Sequence, residues 1–156
     1  MTTNKGPAVS FANDTSESFV ESYYKAYDLD REKVSQLYRA SSAIVYNGTP
    51  VQGAENVHNL FMSIPVTQHE IQSWDAHPVQ DVVAPDAPVP PSILLNVTGL
   101  VAHGPAAINA MSDGKSLGLK KSMEMILLPR TFSQNFILRN ENDSWFIISD
   151  CFRFVG

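Results

Sequence analysis

Two stretches near the end of the chain decide the fold: Phe132-Ser133-Gln134-Asn135-Phe136-Ile137-Leu138-Arg139 and Ser144-Trp145-Phe146-Ile147-Ile148-Ser149-Asp150-Cys151-Phe152-Arg153-Phe154-Val155. Both are rich in aromatic and branched residues, and Asn140-Glu141-Asn142-Asp143 separates them, so they read as two strands joined by a turn. Side chains on a strand alternate between faces. Phe132, Gln134, Phe136 and Leu138 therefore oppose Ser133, Asn135, Ile137 and Arg139. In the last strand Phe146, Ile148, Phe152 and Phe154 fall on one face, and Trp145, Ile147, Ser149, Cys151 and Arg153 on the other. Both faces are apolar over most of their length, whereas a sheet with one wet face carries polar residues there. One face must cover helices, and the other calls for a second protein as its cover.

Working back from this pair, residues 92–102 form a β-rich run whose second face is mixed: Leu94, Asn96, Thr98 and Leu100. Residues 70–76 read as a strand ending before Pro78. The segment Pro85-Asp86-Ala87-Pro88-Val89-Pro90-Pro91 reads as an extended surface connection, because proline lacks a ladder donor. The first half of the chain has helical spacing instead. Asp14 with Glu17 resembles a capping box, and Phe19, Val20, Tyr23, Tyr24 and Tyr27 then share one helix face. This places a helix start near Asp14 or Thr15 and a frayed tail over 1–13. Asp30 is placed to cap a second short helix carrying Val34, Leu37 and Tyr38. Residues 43–46 read as a strand with a hairpin turn at Asn47-Gly48. A third helix follows Gly53, with Val57, Leu60, Phe61 and Ile64 on one face, and Pro65 stops it. Three helices against a mostly antiparallel sheet make an α+β domain.

Residues 103–131 fit no long element, since Gly104, Pro105, Gly114, Gly118 and Pro129 interrupt them. They also carry Met111, Met123, Met125, Ile126, Leu127 and Leu128, which need cover from the body or from a partner. A connection of this length inside a compact domain is often functional.

A chain of 156 residues makes one globular domain. Charged residues make up 17% against hydrophobic residues at 44%, which again points to a partly covered exterior. The net charge of −5 argues against a generally basic nucleic-acid binder, though not against a local basic patch. The lone Cys151 excludes an internal disulfide and a multi-cysteine metal site. Residues 1–12 hold one lysine and no apolar block, unlike a secretory signal, and no run approaches the length of a membrane span. A soluble intracellular protein is the expectation. His58, His69, His77 and His103 show no metal-ligand spacing, so neither a metal nor a cofactor is expected. Asp75 and Asp150 are the candidates for acid/base chemistry; the competing reading gives Asp150 a local capping or pairing role. Cys151 is read as a small apolar residue rather than a nucleophile, and the Tyr23, Tyr24 and Tyr27 stripe as core with hydroxyls reaching water or a backbone acceptor.

The pieces Phe19-Val20-Glu21-Ser22-Tyr23-Tyr24, Leu37-Tyr38, Asn47-Gly48 with Val51 and Gly53, Leu60-Phe61 through Pro65, and Ile71 with Asp75 and Pro78 run in order to the two final strands. Those end in Trp145 and Asp150-Cys151-Phe152-Arg153-Phe154. Over residues 15–155 this resembles the nuclear transport factor 2-like family, and within it the small subunits of heterodimeric mRNA export receptors, called mRNA transport regulators in fungi. The resemblance implies a cone: a curved antiparallel sheet packed on three N-terminal helices. It implies a non-catalytic role, in which the outer sheet face packs on the related domain of a large export subunit. By position that face holds Leu94, Asn96, Asn135, Ile137, Cys151 and Arg153, with Arg153 pairing a partner acid. It further implies carriage of messenger ribonucleoprotein through nuclear pores by weak contacts with phenylalanine-glycine nucleoporins, and shuttling between nucleus and cytoplasm.

The long connection at 103–131 departs from compact animal relatives and points to a fungal source. Its net charge is +2 against −7 for the rest of the chain, so Lys115, Lys120, Lys121 and Arg130 are candidates for an auxiliary RNA contact. Phe61, Phe132, Phe136, Phe146 and Phe152 are bulky enough to fill the cone. An open polar cavity would instead favour a small-molecule enzyme or binder. Stable self-pairing would favour a homodimeric transport factor for a small GTPase, a reading weakened by Asn96 and Asn135 at the expected interface.

Overall fold

The computed structural model describes residues 7–79, 91–113 and 128–155. Within them the order is α1 (Pro7–Leu29), α2 (Arg31–Ser35), β1 (Tyr38–Tyr46), β2 (Thr49–Val51), α3 (Ala54–Ser63), β3 (Thr67–Val79), β4 (Ser92–His103), α4 (Pro105–Asp113), β5 (Arg130–Glu141) and β6 (Ser144–Phe154). Helices α1 to α3 lie against a six-stranded sheet of order β2-β1-β6-β5-β4-β3, in agreement with the expected α+β cone.

The first helix starts about two turns earlier than its capping signal suggests. Pro7 opens it, a position where a missing N–H costs no helix bond. Its buried face extends back through Ser16 and Ala12, two small residues whose spacing from Val20 keeps the stripe going but which carry little hydrophobic signal. Residues 7–13 are therefore helix, not tail. Asp30 stands at the start of α2 but makes no capping bond with its side chain. The second helix ends at Ser35, and Tyr38 opens β1 instead of closing α2. Because β1 and β2 intervene before α3, the helices are not one N-terminal block.

The sheet is mixed, not antiparallel throughout. β1 pairs with β6 in parallel, with Ile44 opposite Asp150 and Val45 opposite Cys151. No short turn links those two strands, so nothing local sets their relative direction. The remaining pairs are antiparallel, and Asn142 and Asp143 turn β5 into β6 with positive φ at both residues. β3 runs on through Pro78 to Val79, opposite Ser92. Proline is tolerated there because β3 is an edge strand. The connection at 85–91 lies outside the described residues. In the region that resisted assignment, α4 forms directly after Gly104, whose φ of +84° turns the chain out of β4.

The inner faces are those expected for β4 and β5. Ile93, Leu95, Val97, Phe132, Gln134, Phe136 and Leu138 are all buried. β6 breaks its own alternation. Ile137 faces Ser149 while Leu138 faces Ile147, so Ile148 is an extra residue in a bulge. Ile147 thereby points into the core with Asp150 and Phe152. Trp145 moves to the helix side, where it meets Phe11. Phe146 does not fill the cone; it is half-buried beneath the Arg39 guanidinium, 3.4 Å from the ring centre.

Two polar residues clamp the helices to β3. Arg31 donates to the carbonyl oxygens of Tyr27 (3.2 Å), Phe61 (3.1 Å), Ile64 and Pro65, so one guanidinium caps the end of α3 and joins it to α1. Asp28 accepts from the backbone N–H of His69 (2.9 Å) and from the Thr67 hydroxyl (2.9 Å). Gly99 permits a close approach. A Cβ there would stand 2.2 Å from the carbonyl oxygen of Glu70, beside the β3 bulge between Ile71 and Ser73. Gly99→Ala is expected to lower the unfolding free energy by about 1–3 kcal/mol through overpacking, read as a reduced urea midpoint.

Candidate protein interface

The interior of the cone is closed by a network of polar side chains. Asp150 is fully buried on β6, and its Oδ2 accepts from the Tyr38 hydroxyl at 2.6 Å. Its Oδ1 accepts from Gln134 Nε2 at 2.9 Å. The Tyr24 hydroxyl donates to Gln134 Oε1 at 2.7 Å, and the hydroxyls of Tyr23 and Tyr38 lie 2.9 Å apart. The tyrosine stripe of α1 is core, as expected, but its hydroxyls at Tyr23 and Tyr24 reach inward rather than to water. Burial, then the negative charge of Asp150, holds the Tyr23, Tyr24 and Tyr38 hydroxyls well above the usual phenol range. Burial likewise raises Asp150 to about 6, against the downward pull of its bonds from Tyr38 and Gln134.

That pKa resembles the poise of an acid/base catalyst. The space does not. Tyr23, Tyr27, Phe61, Gln134 and Phe152 leave a cavity of ≈ 10 Å³ beside Asp150, at the lower limit for one water. Both carboxylate oxygens are already engaged, by Tyr38 and Gln134. Asp150 therefore neither caps nor pairs locally, since it joins β6 to β1 and β5 at the centre of the core. Asp75, the other candidate, is exposed on β3 opposite Asn96, outside the cone.

The outer face carries exposed side chains on every strand from β3 to β1. Strand registers line its side chains up in rows. Asp75, Asn96, Asn135, Cys151 and Val45 follow one another from β3 to β1. His77, Leu94, Ile137, Ser149 and Ala43 make the next row, and Ser73, Thr98, Ser133 and Arg153 the row on the other side. All six residues expected at a partner interface fall in these rows. Leu94 is 46% exposed, Ile137 half-buried, and Asn135, Cys151 and Arg153 exposed. Cys151 is thus not the buried apolar residue its neighbours suggested. Asn96 donates its side-chain N–H to Asn135 Oδ1, which orients both amides across the face. Arg153 has no hydrogen bond or ion pair among the described residues. Ala43 and Val45 belong to this face and were not foreseen. Their signal was the run Ala43-Ile44-Val45-Tyr46, apolar in both phases, but the parallel β1–β6 pairing that brings them here is not visible in it.

The other candidates lie elsewhere. Lys115, Lys120 and Lys121 are outside the described residues, as are Met123, Met125, Ile126 and Leu127. Arg130 is exposed at the start of β5, stacked 3.9 Å over the Phe154 ring. The histidines are dispersed. His69 is buried against Asp28, His58 and His77 are exposed, and His103 packs on Phe154. Burial, then the charges of His69, Arg31 and Arg130, lowers His103 to about 4, so it is neutral at pH 7. Among the described residues no group of three His, Cys, Asp or Glu side chains converges as for a metal ion.

The nuclear transport factor 2 (NTF2) domain matches residues 15–111. The chain belongs to the nuclear transport factor 2 family. An NTF2-related export protein of Caenorhabditis elegans is 32% identical over 140 residues, covering 90% of this chain and 85% of that protein. Nuclear transport factor 2 of Cryptosporidium parvum has the same fold, with a TM-score of 0.65, 25% identity, and coverage of 96% of this chain and 97% of that one. The Candida albicans Mtr2–Mex67 M domain complex contains a chain matching at a TM-score of 0.64 with 14% identity, covering 92% and 94%; this is a likeness of fold.

The buried Asp150 makes stability depend on pH. Its folded value of about 6 exceeds the ordinary 3.8, so the native protein holds this proton more tightly than the unfolded chain. The stability this contributes is present below about pH 4 and lost as the pH rises through about 6. Relative to the Asp150→Asn variant, the wild type should therefore lose roughly 1–3 kcal/mol of unfolding free energy between pH 4 and pH 7. Parallel urea curves at the two pH values measure this difference.

Proposed function

We propose that this chain is the non-catalytic small subunit of a nuclear mRNA export receptor. Its outer sheet face covers the related domain of a large export subunit. Because it binds only the folded form, it also stabilises that domain. The pair carries messenger ribonucleoprotein through nuclear pores by weak contacts with phenylalanine-glycine nucleoporins, shuttling between nucleus and cytoplasm. The basic residues Lys115, Lys120, Lys121 and Arg130 add an RNA contact in this reading.

The observation that carries the proposal is the outer face. Leu94 and Ile137 give it an apolar patch, the Asn96–Asn135 pair an oriented amide, and Arg153 an unpaired charge. A partner with an acidic residue opposite Arg153 would complete it. The similarity to an export protein over nine-tenths of the chain supports the same direction. The filled interior speaks against a small-molecule enzyme, which needs room for substrate beside its acid or base. Self-pairing through this face would strip water from two amide pairs and two arginines, and these need specific acceptors.

Arg153→Ala is expected to weaken the complex with the large subunit's related domain by about 3–5 kcal/mol, because its partner carboxylate would be stranded in the interface. The melting temperature of the free chain should not change. Calorimetric titration measures the affinity, and an unaltered value contradicts the assignment.

A further inference from the structure

The free edge of β3 offers a second binding surface, on a different side of the molecule from the outer face. β3 ends the sheet, so one of its two hydrogen-bonding edges has no neighbouring strand among the described residues. The Asp28 bond to the His69 N–H identifies which residues point there. That N–H turns away from β4 and is met by a carboxylate oxygen of Asp28, in the place where a neighbouring strand's carbonyl would sit. Residues two apart on a strand aim their backbone groups the same way. Ile71 therefore follows His69 in facing the open edge. After the bulge, which restores pairing at Ser73–Thr98, Trp74 and Ala76 face it as well. Pro78 comes next in phase, so its missing N–H costs no ladder bond. Among the described residues no backbone hydrogen bond reaches Ile71, Trp74 or Ala76 from outside the sheet.

Beside this edge lies a groove of ≈ 660 Å³ between α1 and β3. Its lining is half apolar, from Val20, Tyr24, Ile71 and Trp74, and Glu17, Glu21 and Lys25 follow one another along the α1 side at one-turn spacing, a net charge of −1. Both glutamates are exposed, and neither has an ion pair among the described residues. Asp28 is occupied by Thr67 and His69, so Glu17 and Glu21 are the carboxylates left for a ligand.

We propose that the β3 edge from Ile71 to Ala76, with the groove walled by Glu17 and Glu21, takes an extended basic segment of a partner protein as a seventh strand. Backbone bonds to Ile71, Trp74 and Ala76 supply the register. Every second side chain of the added strand turns toward α1, where a lysine or arginine stem covers the apolar lining and its charged end reaches Glu17 or Glu21. The residues between turn to the other face, so the segment alternates lysine or arginine with small apolar residues. The net negative charge selects against acidic strands. This proposal does not depend on the export reading.

The test uses the full chain and a short fluorescent peptide of alternating lysine and valine, with a glutamate–valine peptide as control. Binding of the first alone is expected, with slowed amide exchange at Ile71, Trp74 and Ala76. Glu17→Lys with Glu21→Lys should weaken it about ten-fold or more, since two favourable charge contacts become repulsive. These positions are exposed, so the unfolding midpoint reports whether the fold is kept. Ala76→Pro removes one edge donor and should weaken binding without a change of charge. Equal binding of both peptides, insensitivity to the glutamate reversal, or protection confined to residues outside β3 would overturn the proposal.

Discussion

A carboxylate buried in a protein core is costly unless its oxygens find donors. Asp150 finds them in Tyr38 of β1 and Gln134 of β5, and through these it is linked to Tyr23 and Tyr24 of α1. Two of these bonds, Tyr38–Asp150 and Tyr24–Gln134, span more than a hundred residues of sequence, and the network meets where the parallel pair β1–β6 joins the antiparallel meander. They fix which strands neighbour one another and how deep α1 sits. They also occupy the space that a ligand would need. The rings of Phe61, Phe132, Phe136 and Phe152 complete the filling.

With the interior spent on structure, the chemistry available for function lies outside. On the outer face of β4, β5 and β6, Leu94, Asn135, Cys151 and Arg153 are exposed, and the strand registers assemble apolar, amide and cationic side chains into neighbouring rows. Such a surface is suited to holding another protein. The Arg31 and Asp28 clamps have a related effect at the far edge. Arg31 holds the end of α3 against α1, and Asp28 holds the β3 backbone against α1, so the edge strand is fixed from the helix side.

Much of this was legible in the residues. Strict alternation in Ile93 to Val101 and in Phe132 to Leu138 named the inner and outer side chains of β4 and β5 without error. Asn47-Gly48 named the β1–β2 turn. Reading failed where two signals compete or where the signal is non-local. The bulge at Ile148 reversed half of β6, and nothing in a run apolar on both faces marks an extra residue. Ala12 and Ser16 are buried because they are small, so the first turns of α1 looked like a tail. Pro78 ended the predicted strand because an edge position cannot be told from a central one before the strand order is known. At the candidate interface the six expected residues do share one face, whereas the contributions of Ala43 and Val45 depend on a parallel pairing that no local pattern encodes. The buried partnership of Asp150 was missed for the same reason. Its inward phase could be read, but its partners lie on distant strands.

The central claim is that this chain works by covering another protein with its outer sheet face. The most direct measurement is the native mass and composition of the tagged chain purified from its own cells. A one-to-one complex with a larger subunit that carries a related domain, lost when Arg153 is replaced, is the predicted result. A lone chain of this size, or a self-dimer with no such subunit, would contradict it.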